Sequence, residues 1–249
     1  MHDIVVVNNS KYLTEQLKYY YDSIGLGDPN NISNILYNQV NFADSCNFNN
    51  VYITVVPKTV SNSLNPTSTL SPAQKELIIT SLNDVKTLTT EVVIIDPVYI
   101  AVDLCVPASG STGVTLNDAN NTQLQIIKDS NSRRDNTSIM NDVVAVFANY
   151  FDRSNIYLGQ TLDISALTTS ILTVAGVKAF YMVRIDDPAI QYAGLSMIAM
   201  NPVYPVDSQL MTKSTSFSYF KYLFLNNKES FNNKITITTS TQIYENVEY

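Results

Sequence analysis

The sequence predicts a mixed α/β chain with two units in tandem and a β-rich or extended C-terminal tail. Short β-branched runs alternate with segments of helical spacing as far as Ile185. A proline interrupts a long extended segment at Asp96-Pro97, and helix signals become rare beyond Pro202. The 249 residues are enough for two small domains, each with its own core. We expect the order β-α-β-β-α-β in residues 1–95 and β-α-β-α-β, with or without one extra helix, in residues 98–185.

The N-terminal residues predict a strand, a helix and a hairpin. The run Ile4–Val7 is typical of a strand or a leading arm, and Asn9-Ser10 can cap a helix that begins near Lys11. Gly25, Gly27 and Pro29 end this helix. The β-rich run from Val51 to Pro57 predicts a strand, and the runs 35–37 and 40–42 are its simplest hairpin partners.

A second helix is predicted after the Ser-, Asn- and Pro-rich loop 58–70. Ser71 is the expected N-cap, Pro72 occupies the first helical position, and Gln74 completes a capping box. Ala73, Leu77, Leu82 and Val85 lie on or near one face, with Ile78 beside them. We therefore expect this face, Leu77 included, to point inward and the helix to pack on a sheet.

The segment from Glu91 to Val106 is extended except at one point. Proline has no backbone N–H for a central strand, so Pro97 predicts that one strand ends and another begins there. We place the domain boundary at this position, with a first domain at 1–96, a second at 97–190 and a C-terminal segment at 191–249.

Helical spacing continues in the second unit. Leu124 and Ile127 show it, and a helix is predicted from about Ser138 to Phe151, with the polar patch 131–138 upstream read as a possible loop between two helices. Asp163 can cap a further helix that Gly176 closes, and a strand at 177–185 follows. The run 156–159 is a short strand or a turn.

The tail is apolar but contains few helix signals. Its aromatic run 217–225 and the alternating Ile235 and Ile237 predict strands laid on a partner or on the preceding domain. Of these two alternatives, we expect residues 202–249 to bury much of their apolar surface against another chain.

The composition argues against several partners. The net charge is −7, and the 15 Lys and Arg residues are scattered, which argues against nucleic-acid binding. Arg133-Arg134 is read as a solvated surface. No apolar run is long enough to cross a membrane. The two cysteines, Cys46 and Cys105, are read as small apolar residues in a reducing compartment.

Candidate chemistry is sparse. The single histidine is His2, in a terminus expected to be mobile, and Gly25-x-Gly27 lacks the third glycine of a dinucleotide loop. Two carboxylate pairs could act as acid and base: Asp96 with Asp103, and Asp186 with Asp187. Prolines follow Asp96 and Asp187, so we favour turn residues at strand ends. We therefore predict no enzyme, no cofactor and no catalytic, cofactor-binding or metal-binding residue.

One ordered series of motifs resembles a known family. It runs through Val51–Lys58, Leu70–Ala73, Leu88-Thr89 and Val92–Ile100, and continues with Phe147–Phe151, Ile156–Gly159 and Asp163–Val177. This order is similar to that of the J-like baseplate family of contractile-tailed phages, and most similar to the C-terminal half of their large baseplate wedge subunit. The likeness covers about Ser10 to Ile185, and the upstream region usual in the family does not precede it.

The resemblance implies the fold class α+β, with two small mixed α/β sandwich-like domains and no cofactor. It implies a structural virion protein of the tail baseplate, made in the host bacterial cytoplasm. Its partners would be another copy of itself and other baseplate or tail proteins, with no nucleic acid and no membrane. Two other classes stay open: a soluble carbohydrate- or protein-binding module that uses exposed tyrosines, and a small hydrolase that uses Asp96 and Asp103.

Overall fold

A computed structural model describes residues 2–17, 19, 50–58, 68–87, 89–110, 113–201 and 208–239. These residues form a mixed α/β structure with several small open sheets and five helices. The chain divides into two compact units. Unit 1 comprises Met1–Tyr99, Tyr157–Gln160 and Phe217–Tyr222, and unit 2 comprises Ile100–Ile156, Thr161–Ser216 and Leu223–Tyr249. The tandem division into 1–96, 97–190 and 191–249 stays a prediction.

Unit 1 contains a three-stranded sheet. Its described elements are β1 (Asp3–Asn8), α1 (Asn9–Lys11) continued by a π-helical turn (Tyr12–Leu17), β2 (Val51–Val56), α2 (Pro72–Asn83) and β3 (Val92–Ile95). The sheet order is β1-β2-β3, with β1 antiparallel and β3 parallel to β2. The three strands predicted at these positions are confirmed.

The surroundings of β2 bear on the predicted hairpin. Its predicted partners, the runs 35–37 and 40–42, lie outside the described residues. On β2 itself, one edge pairs with β1 from Asp3↔Val56 to Asn8↔Val51, and the other pairs with β3 from Val51↔Val92 to Thr54↔Ile95. The strand is central because both of its edges are used.

The start of α2 is built as the sequence predicts. The backbone N–H of Gln74 donates to Ser71 Oγ (3.3 Å), and the N–H of Ser71 donates to Gln74 Oε1 (2.9 Å), with Pro72 in the first turn. This reciprocal pair satisfies two donors that a helix start otherwise leaves unpaired. The expected capping box is confirmed.

The predicted inward face of α2 is wrong for Leu77 and Val85 and confirmed for Leu82. Leu77 is 67% exposed, and Val85, just beyond the helix, is 77% exposed. Ile79 and Leu82 pack instead against a core of Ile53, Val55 and Val92. The sheet selects the face with Ile79 and Leu82, and no residue of α2 is fully buried. Apolar side chains lie around much of this helix, so spacing alone did not identify the packed side.

The first helix begins at Asn9, two residues before the predicted start near Lys11. Asn8 is the N-cap, and its side-chain oxygen accepts from the backbone N–H of Lys11 (3.0 Å). The expected cap at Asn9-Ser10 is therefore wrong by one position. Leu13 is buried as its spacing predicts. The predicted end at Gly25, Gly27 and Pro29 lies outside the described residues.

Unit 2 contains most of the remaining elements, and the chain passes between the units within β4 and within β12. The elements are β4 (Val98–Leu104), α3 (Leu116–Asn120), β5 (Thr122–Lys128), α4 (Asn136–Tyr150), β6 (Thr161–Leu162), α5 (Ile164–Leu172), β7 (Val177–Arg184), β8 (Gln191–Tyr192), β9 (Met197–Met200), β10 (Gln209–Met211), β11 (Thr215–Ser216), β12 (Lys221–Leu225) and β13 (Ile235–Thr239). The sheet orders are β10-β9-β4-β12, β13-β5-β7-β8 and β11-β6.

The helical reading of Leu124 and Ile127 is wrong, because both residues lie in β5. Thr122, Leu124 and Ile126 are fully buried, whereas Gln123 and Gln125 are only partly covered. This alternation has the period of two that a strand requires. The helix predicted from about Ser138 exists as α4, which starts earlier at Asn136 behind the N-cap Asp135. Asp163 caps α5 as predicted.

The described part of the tail, residues 208–239, is β-rich as expected, but its burial is not as expected. Tyr222, Leu223, Phe224 and Leu225 are between 0% and 6% exposed within this chain alone. The strand β13 pairs in parallel with β5 from Ile235↔Leu124 to Thr239↔Lys128. The expectation of cover by another chain is therefore wrong for Tyr222–Leu225, because this chain itself buries their side chains.

Candidate functional site

The sequence-predicted carboxylates are held by different partners. In unit 1, Asp96 lies between β3 and β4, and its Oδ2 is 2.8 Å from Lys75 Nζ of α2. In unit 2, Asp103 is fully buried on β4 and is held by Lys234 and Asn226. The two members of the proposed hydrolytic pair thus have separate ion-pair partners, and Asp103 has no exposed surface.

The second pair, Asp186 and Asp187, follows β7. Asp186 accepts two hydrogen bonds from the Arg184 guanidinium, at 2.8 Å from Nε to Oδ1 and 2.5 Å from Nη2 to Oδ2. These bonds hold the pKa of the Asp186 carboxyl below its ordinary value. Asp187 Oδ1 accepts from the backbone N–H of Ala189 (3.2 Å), which is the geometry of a turn residue. The turn reading is confirmed for Asp187.

Arg184 and Asp118 form a buried ion pair in unit 2. Arg184 is 2% exposed, and its Nη1 donates to Asp118 Oδ1 and to the carbonyl oxygen of Val106 (3.1 Å). Asp118 also accepts from the hydroxyl (2.7 Å) and the backbone N–H (2.9 Å) of Thr115, which caps α3. Burial alone would raise the pKa of the Asp118 carboxyl, but these hydrogen bonds outweigh it and lower the pKa.

A second buried polar group surrounds Asp103. Lys234 Nζ lies 2.6 Å from Asp103 Oδ1, and Asn226 Nδ2 donates to Asp103 Oδ2 at 3.0 Å. Lys234 Nζ also donates to the carbonyl oxygen of Ala119 (2.9 Å). Burial raises the pKa of the Asp103 carboxyl despite the nearby Lys234 ammonium. We call Asp103, Asn226 and Lys234 the buried triad.

Sequence reasoning missed Asn226 and Lys234, the two partners of Asp103. Lys234 ends a 3₁₀ turn (Phe231–Lys234) in a polar stretch, and no local pattern marks it as buried. The capping role of Asp118 could have been predicted from the sequence, because Thr115 and Asp118 have the spacing of a capping box. The partner of Asp118, 66 residues away at Arg184, is set only by the pairing of β5 with β7.

His2 is anchored, which corrects the expectation of a mobile terminus. Its backbone N–H donates to the carbonyl oxygen of Val56 (2.9 Å), and its Nε2 lies 2.9 Å from Tyr222 Oη. The rings of His2 and Tyr99 both contact Tyr222 edge-on, with centroids 5.9 Å apart in each pair. Asp3 Oδ2 accepts from the backbone N–H of Leu158 (2.5 Å). The N-terminal residues thus hold distant segments of unit 1 together.

The other candidate residues have structural surroundings. Arg134 pairs with Asp142 on the surface (2.7 Å). Cys105 is fully buried, and Cys46, Gly25 and Gly27 lie outside the described residues. Within the described ranges, no group of three or more His, Cys, Asp or Glu side chains could hold a metal ion. None of the helices in those same ranges has the length and apolar character needed to cross a membrane.

Comparison with known proteins does not assign the chain to a family. No protein-family model matches it, and no curated protein matches its sequence.

Proposed function

We propose that this chain is a structural virion protein, a baseplate wedge component of a contractile phage tail that connects neighbouring wedge subunits in the inner baseplate. The observation that carries the proposal is the ordered motif series between Val51 and Val106. The series resembles the J-like baseplate family in the order of a strand, a capped helix, an Asp-Pro break and a second extended segment.

The packing of α2 and its ion pair with the Asp-Pro break are consistent with this proposal. The capped helix α2 packs Ile79 and Leu82 on the core of the β1-β2-β3 sheet. Lys75 on the same helix pairs with Asp96 at the Asp-Pro break, at 2.8 Å. A partly exposed ion pair of this kind adds little stability, but it shows that the end of β3 lies beside α2. The capped helix and the Asp-Pro break are thus neighbours in space.

The surface of unit 1 supports a partner-binding role. Ile4 and Val6 point to one side of β1, at the edge of the sheet, and are 45% and 57% exposed in the described structure. Edge strands with apolar side chains tend to pair with other chains unless they are covered. Subunit contacts in a ring of wedges would use such edges.

Purification of intact tails tests the proposal. We expect the chain to copurify with tails in a fixed ratio to the other baseplate proteins, as measured by quantitative mass spectrometry. Cells that lack the chain should make no contractile tails, and supplying the chain in trans should restore them. The chain's absence from washed, intact tails would overturn the proposal.

A further inference from the structure

The buried triad in unit 2 places a carboxyl group between an amine and a carboxamide. Asp103 Oδ1 faces Lys234 Nζ at 2.6 Å, and Asp103 Oδ2 faces Asn226 Nδ2 at 3.0 Å. Asp103 is completely buried, and only 11% of the Lys234 side chain is exposed. Asp103 and Lys234 therefore meet with little access to bulk water, and Asn226 lies beside them partly exposed.

Burial changes the reactivity of this amine and carboxyl. Removing a carboxylate from water disfavours its ionised form, so the buried Asp103 can accept a proton. The raised pKa of the Asp103 carboxyl agrees with this direction. A neutral, desolvated lysine amine is a nucleophile, and a carboxyl that contacts both reacting groups can carry protons between them.

We propose that Lys234 and Asn226 form an intramolecular amide crosslink, with Asp103 as the proton relay. Lys234 first gives one proton to Asp103, and its neutral Nζ then attacks Asn226 Cγ. As the Nζ–Cγ bond forms, Asp103 gives the proton it holds to Nδ2 and then, as a carboxylate again, takes the second proton from Nζ. The Cγ–Nδ2 bond breaks, and ammonia leaves. Asp103 ends as a neutral acid, and no group is oxidised or reduced.

The hydrogen bonds favour attack of the Lys234 amine on Asn226 over attack on Asp103. The carboxamide nitrogen, which must leave as ammonia, already contacts the acid that would protonate it. Attack on Asp103 itself would need another carboxyl as the relay. Among the described residues the other buried aspartate of this unit, Asp118, is engaged by Arg184 and Thr115 instead.

The positions of the two residues define what the crosslink would do. Asn226 follows β12 directly, and Lys234 precedes β13 directly. The backbone N–H of Asn226 also donates to the carbonyl oxygen of Val102 (2.8 Å), which fixes it beside β4. The new bond would close the loop 226–234 covalently and replace a buried ion pair with a neutral amide. This inference does not depend on the proposed function.

The mass of the full-length chain under denaturing conditions tests the crosslink. We expect the folded and then denatured wild-type chain to be lighter than its sequence mass by one ammonia. Tryptic digestion should yield one branched product that joins the peptide ending at Lys228 to the peptide that contains Lys234. An unchanged mass, or the loss of one water, would overturn the proposal, and neither result requires a variant to fold.

Variants separate the crosslink from cyclisation of an asparagine to a succinimide, which also releases ammonia. Lys234→Arg keeps the positive charge but cannot form the amide, so its mass should match its sequence. Lys228→Arg is the matched control in the same loop and should keep the ammonia loss. Asp103→Asn removes the relay and should abolish the loss in any folded fraction. Ammonia loss that persists in Lys234→Arg would contradict the crosslink.

Discussion

Each nitrogen of the Arg184 guanidinium donates a hydrogen bond. Its acceptors are Asp118 and Val106 on the buried side and Asp186 on the exposed side. A buried charge costs several kcal/mol unless it is paired and fully hydrogen-bonded, so this complete set of partners is what allows Arg184 to be 2% exposed. Single substitutions here should have unequal effects.

Arg184→Met should lower the free energy of unfolding by about 3–5 kcal/mol, because it leaves the buried Asp118 carboxylate without its cation. Asp186→Asn is the matched control. The Asp186 side chain is 48% exposed, so its loss should destabilise the fold much less than the loss of Arg184 does. Urea denaturation measures both values. An equal decrease in the free energy of unfolding in both variants would show that the buried Arg184–Asp118 pair contributes no more than the exposed Arg184–Asp186 pair.

Asp118 should give the fold a specific acid sensitivity. The pKa of its carboxyl is lowered in the folded state, so the folded chain holds this group ionised at a pH where the unfolded chain has begun to protonate it. Its stabilisation is present above the ordinary aspartate pKa of about 4 and is lost as the pH falls through the lower folded value. Between about pH 6 and about pH 3, wild type should lose more stability than Asp118→Asn. Parallel pH profiles would contradict this assignment.

Cys105 should be unreactive in the folded protein. Its burial, together with the nearby Asp118 carboxylate, raises the pKa of the thiol to about 12. At about pH 8, on the order of one thiol in ten thousand is then ionised, and the thiolate is the reactive form. Alkylation with iodoacetamide followed by peptide mapping should label Cys105 only after denaturation. Rapid labelling of this residue in the native chain would show that β4 opens locally.

At the scale of elements, α2 shows which features the sequence could predict. The cap at Ser71 was predictable because it depends on residues three positions apart. The packed face was not, since Leu77 and Ile79 are equally apolar and only the core around Ile53 selects between them. The strand β5 was misread for a related reason. Leu124 and Ile127 fit a helical spacing in a short window, and pairing with β7 decided the outcome.

The two faces of α2 should respond differently to the same substitution. Leu82→Asp places a carboxylate against the core of unit 1 and should cost about 1–3 kcal/mol. Leu77→Asp on the exposed face should change the stability by less than about 0.5 kcal/mol. Thermal and urea unfolding of both variants measure the difference. A severe loss in Leu77→Asp would mean that this exposed side chain packs on something that the described residues do not include.

At the scale of the whole molecule, each unit is assembled from segments that are far apart in the sequence. Unit 1 takes short segments from 157–160 and 217–222, and unit 2 takes its last strand, β13, from near the end of the chain. Local signals predict strands and caps, but they carry no information about partners separated by more than 100 residues. The sequence therefore predicted the mixed α/β class, whereas the tail's place in the core and the buried triad depended on pairings between distant strands.

The C-terminal strand should accordingly be required for unit 2 to fold. A chain that ends at Leu225 lacks β13, which pairs in parallel with β5, and lacks Phe231, whose ring lies 4.8 Å from that of Phe147. It also leaves Asp103 buried without Lys234, which alone costs several kcal/mol. We expect no cooperative unfolding transition and little hydrogen-exchange protection in β5 of this chain. A chain ending at Thr239 keeps these residues and serves as the matched control. Cooperative unfolding of the shorter chain would mean that β13 is an accessory strand, because β5 would then be stable with β7 as its remaining neighbour.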